Sequence, residues 1–162
     1  MSSSLPLVLE DVSFEYRTRP GLALKNVSFS VQPGELLLQV KLPAPPANSG
    51  AFYHRFIPRN EMDIAVASAG VNITLDGSGN ITAARVALGA VAATPLMVPA
   101  AAAALVGKPA GADAFAAAGD AAEAAATPID DMRGGVAQRR HLAKVLTVRA
   151  LEGALQRIRE SR

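Results

Sequence analysis

Two alternating apolar segments separated by a short polar connection constrain this chain more than any other feature. Ile64 to Leu75 reads IAVASAGVNITL, Ile81 to Val91 reads ITAARVALGAV, and Asp76-Gly77-Ser78-Gly79-Asn80 lies between them. Side chains of a strand point alternately to opposite faces, so each segment offers one apolar face. The glycines supply the backbone freedom a tight connection needs, and the pair is predicted to form an antiparallel hairpin turning at Gly77-Ser78-Gly79. A sheet with one apolar face must be covered by other elements.

The covering elements follow in order. Thr94-Pro95 is expected to end the sheet, and helical segments are predicted over Pro99 to Val106, Gly111 to Ala126 and Val136 to Arg159. Pro99 suits a first helical position and Gly107 a helix end. Upstream, Leu7 to Tyr16 and Asn26 to Val31 read as strands around a polar break at Arg17 to Gly21, with Gln32-Pro33-Gly34-Glu35 as a turn. Leu36 to Leu42 reads as a further strand closed by Pro43-Ala44-Pro45-Pro46 and the loop Asn48-Ser49-Gly50. Phe52 to Met62 is expected to be a loop with short strand character. Strands precede helices and nothing alternates as βαβ. The predicted class is therefore α+β: a small three-stranded antiparallel sheet with helices on one face, preceded by an N-terminal β-hairpin.

Composition narrows the function. Of 162 residues 50% are hydrophobic, but many are alanines between Ala100 and Ala126, which bring helix propensity and little buried area each. The core is expected to come from elsewhere. Cysteine is absent, which excludes disulfides, iron–sulfur clusters and thiolate metal sites on this chain. There is no apolar run of membrane-spanning length and no secretory signal after Met1, so the chain reads as cytoplasmic with no membrane partner. Arg139, Arg140, Lys144, Arg149, Arg157 and Arg159 share the last helix with Leu142, Val145, Leu146, Val148, Leu151, Leu155 and Ile158. That is the pattern of an amphipathic helix with a solvated basic face. Nucleic-acid binding is not expected, since no aromatic residues are interleaved for base stacking. Asp130 and Asp131 precede the same helix, where carboxylates suit its unpaired amides.

No self-contained active site is legible. His54 and His141 lack metal-ligand spacing, and the nucleophile-elbow, dinucleotide-fingerprint and phosphate-loop patterns are absent. One loop says more: Tyr53-His54-Arg55-Phe56-Ile57-Pro58-Arg59-Asn60-Glu61-Met62-Asp63-Ile64-Ala65 sets charged side chains just before an apolar strand, a common place to present polar groups to a ligand. On the residues alone, Arg59 and Asp63 are expected to pair with each other and fix the loop.

The run YHRFIPRNEMDIAV resembles the Y-x-K-F-x-x-R-x-x-x-D-I-A-x-V signature of the FAD-binding medium subunit of carbon-monoxide-dehydrogenase and xanthine-dehydrogenase-type molybdenum hydroxylases. Leu36 to Pro43 resembles that family's strand ending in L-P, and Ile81 to Pro95 its next strand and T-P stop. Pro128 to Gly134, Arg139-Arg140-His141 and Val145-Leu146-Thr147 resemble the approach to its last helix and the helix itself. The likeness spans residues 36–162. It implies a C-terminal domain that closes over one edge of an FAD held mainly by preceding domains, in a subunit passing electrons from iron–sulfur centres to an acceptor. The implied partners are an iron–sulfur small subunit and a molybdopterin large subunit. Carried over residue by residue, Leu37 matches a strand position touching the cofactor. Arg55 stands where the family has a lysine beside the flavin, keeping the charge but changing its shape. Arg59 and Asp63 match the loop near the isoalloxazine edge, with an electrostatic role. No catalytic residue is implied. The glycine-rich loops that grip the pyrophosphate do not occur in this chain, so no stable FAD binding is expected of it alone.

Residues Leu7 to Glu35, LVLEDVSFEYRTRPGLALKNVSFSVQPGE, instead resemble the opening hairpin of an ABC-transporter ATPase domain, with Tyr16 at its adenine-stacking position. The phosphate loop should follow and LLLQVKLP stands there, so ATP hydrolysis is excluded and Tyr16 reads as a packing aromatic. The chain reads as a fusion of residues 1–35 with residues 36–162, joined near Gly34-Glu35-Leu36-Leu37. A redox accessory domain, inactive alone, is the favoured function. The alternatives are a protein–protein assembly module and a non-catalytic ABC ATPase remnant.

Overall fold

The computed structural model describes residues 7–15, 22–31, 45–59 and 63–161, and for the first two ranges only the backbone. Contacts divide the chain into two units, Met1–Pro43 and Ala44–Arg162. In the first, β1 (Leu7–Glu15) and β2 (Leu22–Val31) pair antiparallel, Leu7 opposite Val31 and Glu15 opposite Leu22. Tyr16, the predicted strand Leu36 to Leu42 and its Leu37 lie outside the described residues.

The second unit holds an antiparallel sheet of β3 (Ser49–Phe56), β4 (Ala67–Leu75), β5 (Ile81–Gly89) and β6 (Leu96–Met97), in that order. The helices α1 (Pro99–Leu105), α2 (Ala112–Ala125) and α3 (Val136–Glu160) follow. The α+β class and the three helices agree with the sequence. The strand count differs: among the described residues the sheet has four strands where the sequence predicts three. The sequence reads Asn48-Ser49-Gly50 as a loop and Phe52 to Met62 as a loop with short strand character, and of these Ser49 to Phe56 is a full strand. It forms a strand because an edge needs only one packed face, and Ser49 through Phe56 pair in unbroken register with Thr74 through Ala67. Thr94-Pro95 does not end the sheet either. Leu96 and Met97 pair with Leu88 and Ala87, a return possible because the proline precedes the paired residues and no ladder donor is lost.

The β4–β5 hairpin has local causes. Asp76 Oδ1 accepts from the amides of Ser78 at 2.8 Å and Asn80 at 2.9 Å, and Gly79 takes φ 86°. An aspartate that bonds its own turn and a glycine in the left-handed region are what a tight connection demands. The same bonds, Asn80's backbone amide first, hold the Asp76 carboxyl below the usual carboxylate range.

One face of the sheet is the core face. Ala69, Val71 and Ile73 of β4 and Val86 and Leu88 of β5 are buried with Leu105, Phe115, Leu146, Leu151 and Ile158 of the helices. The alanines depart from expectation here. Ala101, Ala114, Ala118, Ala122, Ala143, Ala150 and Ala154 all belong to this core. They bury little area each but let backbones approach, so the alanine-rich segment is core rather than filler. Gly119 shows how close α2 and α3 come: a Cβ there would lie 2.9 Å from Val148 Cγ2 and 3.3 Å from the Lys144 carbonyl. At the edge strand, a Cβ on Gly50 would collide with the Ala154 carbonyl, and one on Gly153 would lie 2.7 Å from the Phe52 ring. Arg157 completes that seam. Its guanidinium lies 4.7 Å from the Phe52 ring centroid and donates to the Ala51 carbonyl at 2.7 Å.

Candidate functional site

Strand alternation and register define the sheet's other face. Tyr53 lies opposite Gly70 and Arg55 opposite Ser68; Gly70 and Ser68 in turn face Ala87 and Gly89, and Met97 faces Ala87. Small residues make this face shallow at its centre. A groove of about 450 Å³ runs over it, lined by Tyr53, Gly70, Asn72, Arg85, Ala87 and Met97, among others. Tyr53 is 60% exposed, and a Cβ on Gly70 would lie 3.6 Å from its ring. The charges here are the arginines Arg55 and Arg85, and β3, β4 and β5 contain no carboxylate. The face is therefore flat, partly apolar and positive.

The loop between β3 and β4 rises from the end of the sheet that carries Arg55. It is closed at its base by the Val66 amide donating to the Phe56 carbonyl at 2.9 Å. Arg59 and Asp63 do pair, with Nε 3.5 Å from Oδ2. The two groups are unlike, the Arg59 side chain being 75% exposed and that of Asp63 only 7%. Asp63 Oδ1 also accepts from the Ile64 amide at 2.9 Å, so this carboxylate organises the loop while Arg59 stays available.

At the same end of the sheet lies a group that the sequence pattern assigns to solvent. Arg139 is buried, not part of the solvated basic face. Its Nη1 donates to the Val66 carbonyl at 2.8 Å and the Ala90 carbonyl at 3.1 Å, and Nε to the Gly134 carbonyl at 3.1 Å. Nη2 meets Asp131 Oδ1 at 2.7 Å. Asp131 is thus an ion-pair partner rather than a helix cap; the residue preceding α3 is Gly135, with no side-chain cap bond. The Arg133 backbone amide first, and the Arg139 hydrogen bond second, hold the Asp131 carboxyl below the usual range. The available signal was helical phase: Arg139 stands four residues before buried Ala143, on the same stripe as Leu146 and Ala150. The remaining arginines, Arg140, Arg149, Arg157 and Arg159, are exposed as expected. Among the described residues no group of histidines and carboxylates could hold a metal ion, and no helix is long and apolar enough to cross a membrane.

The profile of the CO dehydrogenase flavoprotein C-terminal domain matches residues 52–154. The chain belongs to that family. It is 37% identical over 128 residues to the carbon monoxide dehydrogenase medium chain of Afipia carboxidovorans, covering 79% of this chain and 44% of the relative. It is 29% identical over 141 residues to the 6-hydroxypseudooxynicotine dehydrogenase complex subunit alpha of Paenarthrobacter nicotinovorans, covering 87% and 47%. Among solved structures, carbon monoxide dehydrogenase from Hydrogenophaga pseudoflava, in a form lacking the Mo-pyranopterin moiety of the molybdenum cofactor, superposes with a TM-score of 0.67. That match has 35% identity and covers 72% of this chain and 40% of the other. The chain spans less than half the length of each of these relatives. Within this flavoprotein C-terminal domain, Tyr53, Arg55, Arg59, Asp63, Asp131 and Arg139 all fall inside the matched range. The 141-residue match is longer than the segment from Leu36 to Arg162, so the likeness to that relative enters the residues before Leu36.

Proposed function

We propose that this domain closes over one edge of an FAD held mainly by the remainder of a flavoprotein subunit, in a molybdenum-hydroxylase complex of the carbon monoxide dehydrogenase type. The observation that carries the reading is the open sheet face. Its centre is built from Gly70, Ala87 and Gly89, which leave room for a flat ring, and its rim carries Tyr53 and Arg55 with no opposing carboxylate on the strands. A planar, electron-accepting ring with an anionic tail suits such a surface. Arg55, Arg59 and Asp63 would set fixed charges near the ring and tune its reduction, with Leu37 as an apolar contact. Tyr53, absent from the sequence-based assignment, joins them on exposure and position. None of these groups transfers electrons; the flavin supplies that chemistry when bound. An iron–sulfur small subunit and a molybdopterin large subunit are the corresponding partners.

A second reading, as an assembly surface, is supported by exposed apolar residues at the loop end of the sheet: Ile64, Ile129 and Met132. The two are compatible, since a closing domain must also touch its neighbours. For Leu7 to Glu35, the sequence likeness to an ABC ATPase hairpin carries no nucleotide site, because the phosphate loop that would supply affinity is not in the chain.

The test is an absorbance titration. The purified chain, FAD and the separately expressed remainder of a related flavin subunit are mixed in turn. The reading expects the flavin spectrum of the binary complex to change when this chain is added. An unchanged spectrum at saturating concentration refutes it.

A further inference from the structure

We infer that Arg139 is a positioning residue for the Arg59–Asp63 loop, acting through Val66, and that Asp131 holds it in that role. The inference rests on the flavin reading for its functional consequence, though not for its geometry.

Burying an arginine is expensive, and an apolar side chain of similar size would fill the space better if packing were the only requirement. A guanidinium offers what an apolar chain cannot: a planar fork of donors able to bond several acceptors at once. Here it bonds carbonyls from three separate segments. Val66 leads into β4, Ala90 follows β5, and Gly134 precedes α3. Ala90 stands at φ 62°, a left-handed backbone that favours glycine, so its carbonyl direction is one that neighbouring strands do not satisfy. The fork ties an irregular strand exit to the base of the loop.

Val66 is the coupling point because both its backbone groups are used. Its amide donates to Phe56 and its carbonyl accepts from Arg139, which fixes the peptide plane where the loop returns to the sheet. Two residues earlier the Ile64 amide bonds Asp63, which pairs with Arg59. Ile64 and Ala65 also line, with Asp131 and Arg139, a cleft of about 510 Å³. Asp131 occupies the remaining side of the fork, neutralising its charge and fixing its rotation. Shifting the fork therefore shifts the anchor from which Asp63 and Arg59 are presented.

The test compares Arg139→Lys and Asp131→Asn with the unaltered chain by residue-resolved amide hydrogen exchange. A lysine keeps the charge but cannot bridge the carbonyls; the asparagine keeps the arginine and removes its anionic partner. Both variants are expected to speed exchange at Val66 and Ile64 by about tenfold or more beyond whatever change global destabilisation brings to Ile73 and Val86 in the sheet centre. Equal acceleration at all four amides, or none, overturns the inference, since either outcome assigns Arg139 a global structural role or no role. In a second arm, with the flavin domain supplied, Arg139→Lys should shift the flavin reduction potential, and the shift should vanish in an Asp63→Ala background. An additive shift, or an unmoved potential with docking intact, also overturns it. Failure of the unaltered chain to dock would refute the flavin reading, and the exchange arm would still decide the positioning claim.

Discussion

Arg139 and Asp131, eight residues apart, meet at 2.7 Å beside the entry to α3. The pair links a buried guanidinium to a carboxylate whose side chain remains 30% exposed. An exposed pair of this kind contributes little; this one is different because the cation cannot reach water. Arg139→Leu is therefore expected to lower stability by about 3–5 kcal/mol, since it strands an anion and three carbonyls. Chemical denaturation of the variant measures the loss.

The pH dependence follows from the direction of the Asp131 shift. Its folded-state pKa lies below the unfolded value, held there by the Arg133 amide and then by Arg139. The stabilisation is thus fully present above the unfolded carboxylate value and is lost as pH falls through the lower folded one. Asp76 shifts in the same direction and adds to the acid limb. Asp131→Asn should be less stable than the unaltered chain at neutral pH, with the gap closing in acid. Melting curves across the acid limb check this; a gap that widens as pH falls contradicts the sign.

Two glycines at one seam should respond unequally to alanine. At Gly50 the new methyl meets the Ala154 backbone carbonyl as well as Ile158 Cγ1 at 2.8 Å, and helix backbone cannot step aside. At Gly153 its three nearest neighbours are all atoms of the Phe52 ring, a half-buried side chain able to turn. Overpacking costs about 1–3 kcal/mol where neighbours yield. Gly153→Ala should fall in that range and Gly50→Ala above it, as read from denaturation midpoints.

Leu146 tests the placement of α3. It is buried at 3% exposure, within the cluster formed by the sheet and α2. Leu146→Ala should cost about 2–5 kcal/mol, the range for removing a core leucine. An unchanged melting temperature would mean that the helix does not lie on the sheet as described.

What the sequence revealed and what it concealed divide along physical lines. The β4–β5 hairpin was legible because alternation and an Asp/Gly connection are local signals, and α3 because its apolar period extends over many turns. Strand β3 was legible only as short strand character within a loop, because His54 and Arg55 break its pattern and its pairing is dictated by β4, not by local signals. Of the candidate site, the Arg59–Asp63 pair was readable from spacing. Arg139 was hidden by its neighbour Arg140: a run of basic residues looks like a solvated face until the fold puts one of them opposite three carbonyls. Tyr53 was visible as a residue but not as a site, since exposure on the open face depends on which way the strand is turned.

Arg55 and Asp63 are expected to act on the flavin with opposite signs. Arg55 is exposed, and among the described residues Asp63 bonds within its own loop, so its removal loosens that loop and leaves the sheet in place. With the flavin domain supplied, Arg55→Ala should lower the reduction potential, because a nearby cation favours the reduced, more anionic flavin; Asp63→Ala should raise it. Spectroelectrochemical titration reads both signs, and identical shifts for the two variants would exclude a direct charge effect.

The last expectation concerns the chain by itself. On the proposed flavin reading, Leu37, Arg55, Arg59 and Asp63 would offer only an edge of contact to FAD, whereas tight binding of a dinucleotide requires a deep site that buries most of its surface and neutralises its pyrophosphate. The groove over the sheet is shallow, and the cleft between α1 and α2, about 390 Å³, has alanines for half of its described lining, with Lys108 as the cation there and Asp113 opposing it in charge. Neither supplies a cradle of amides for phosphate. For ATP, an adenine-stacking role of Tyr16 would supply one ring face at most, and the sequence that follows contains no phosphate loop, so the triphosphate would stay in water. Calorimetry of the purified chain should therefore detect no binding of either nucleotide at micromolar concentration. Micromolar FAD affinity would mean that the open sheet face alone holds the cofactor, and that the remainder of the subunit is not what supplies the grip.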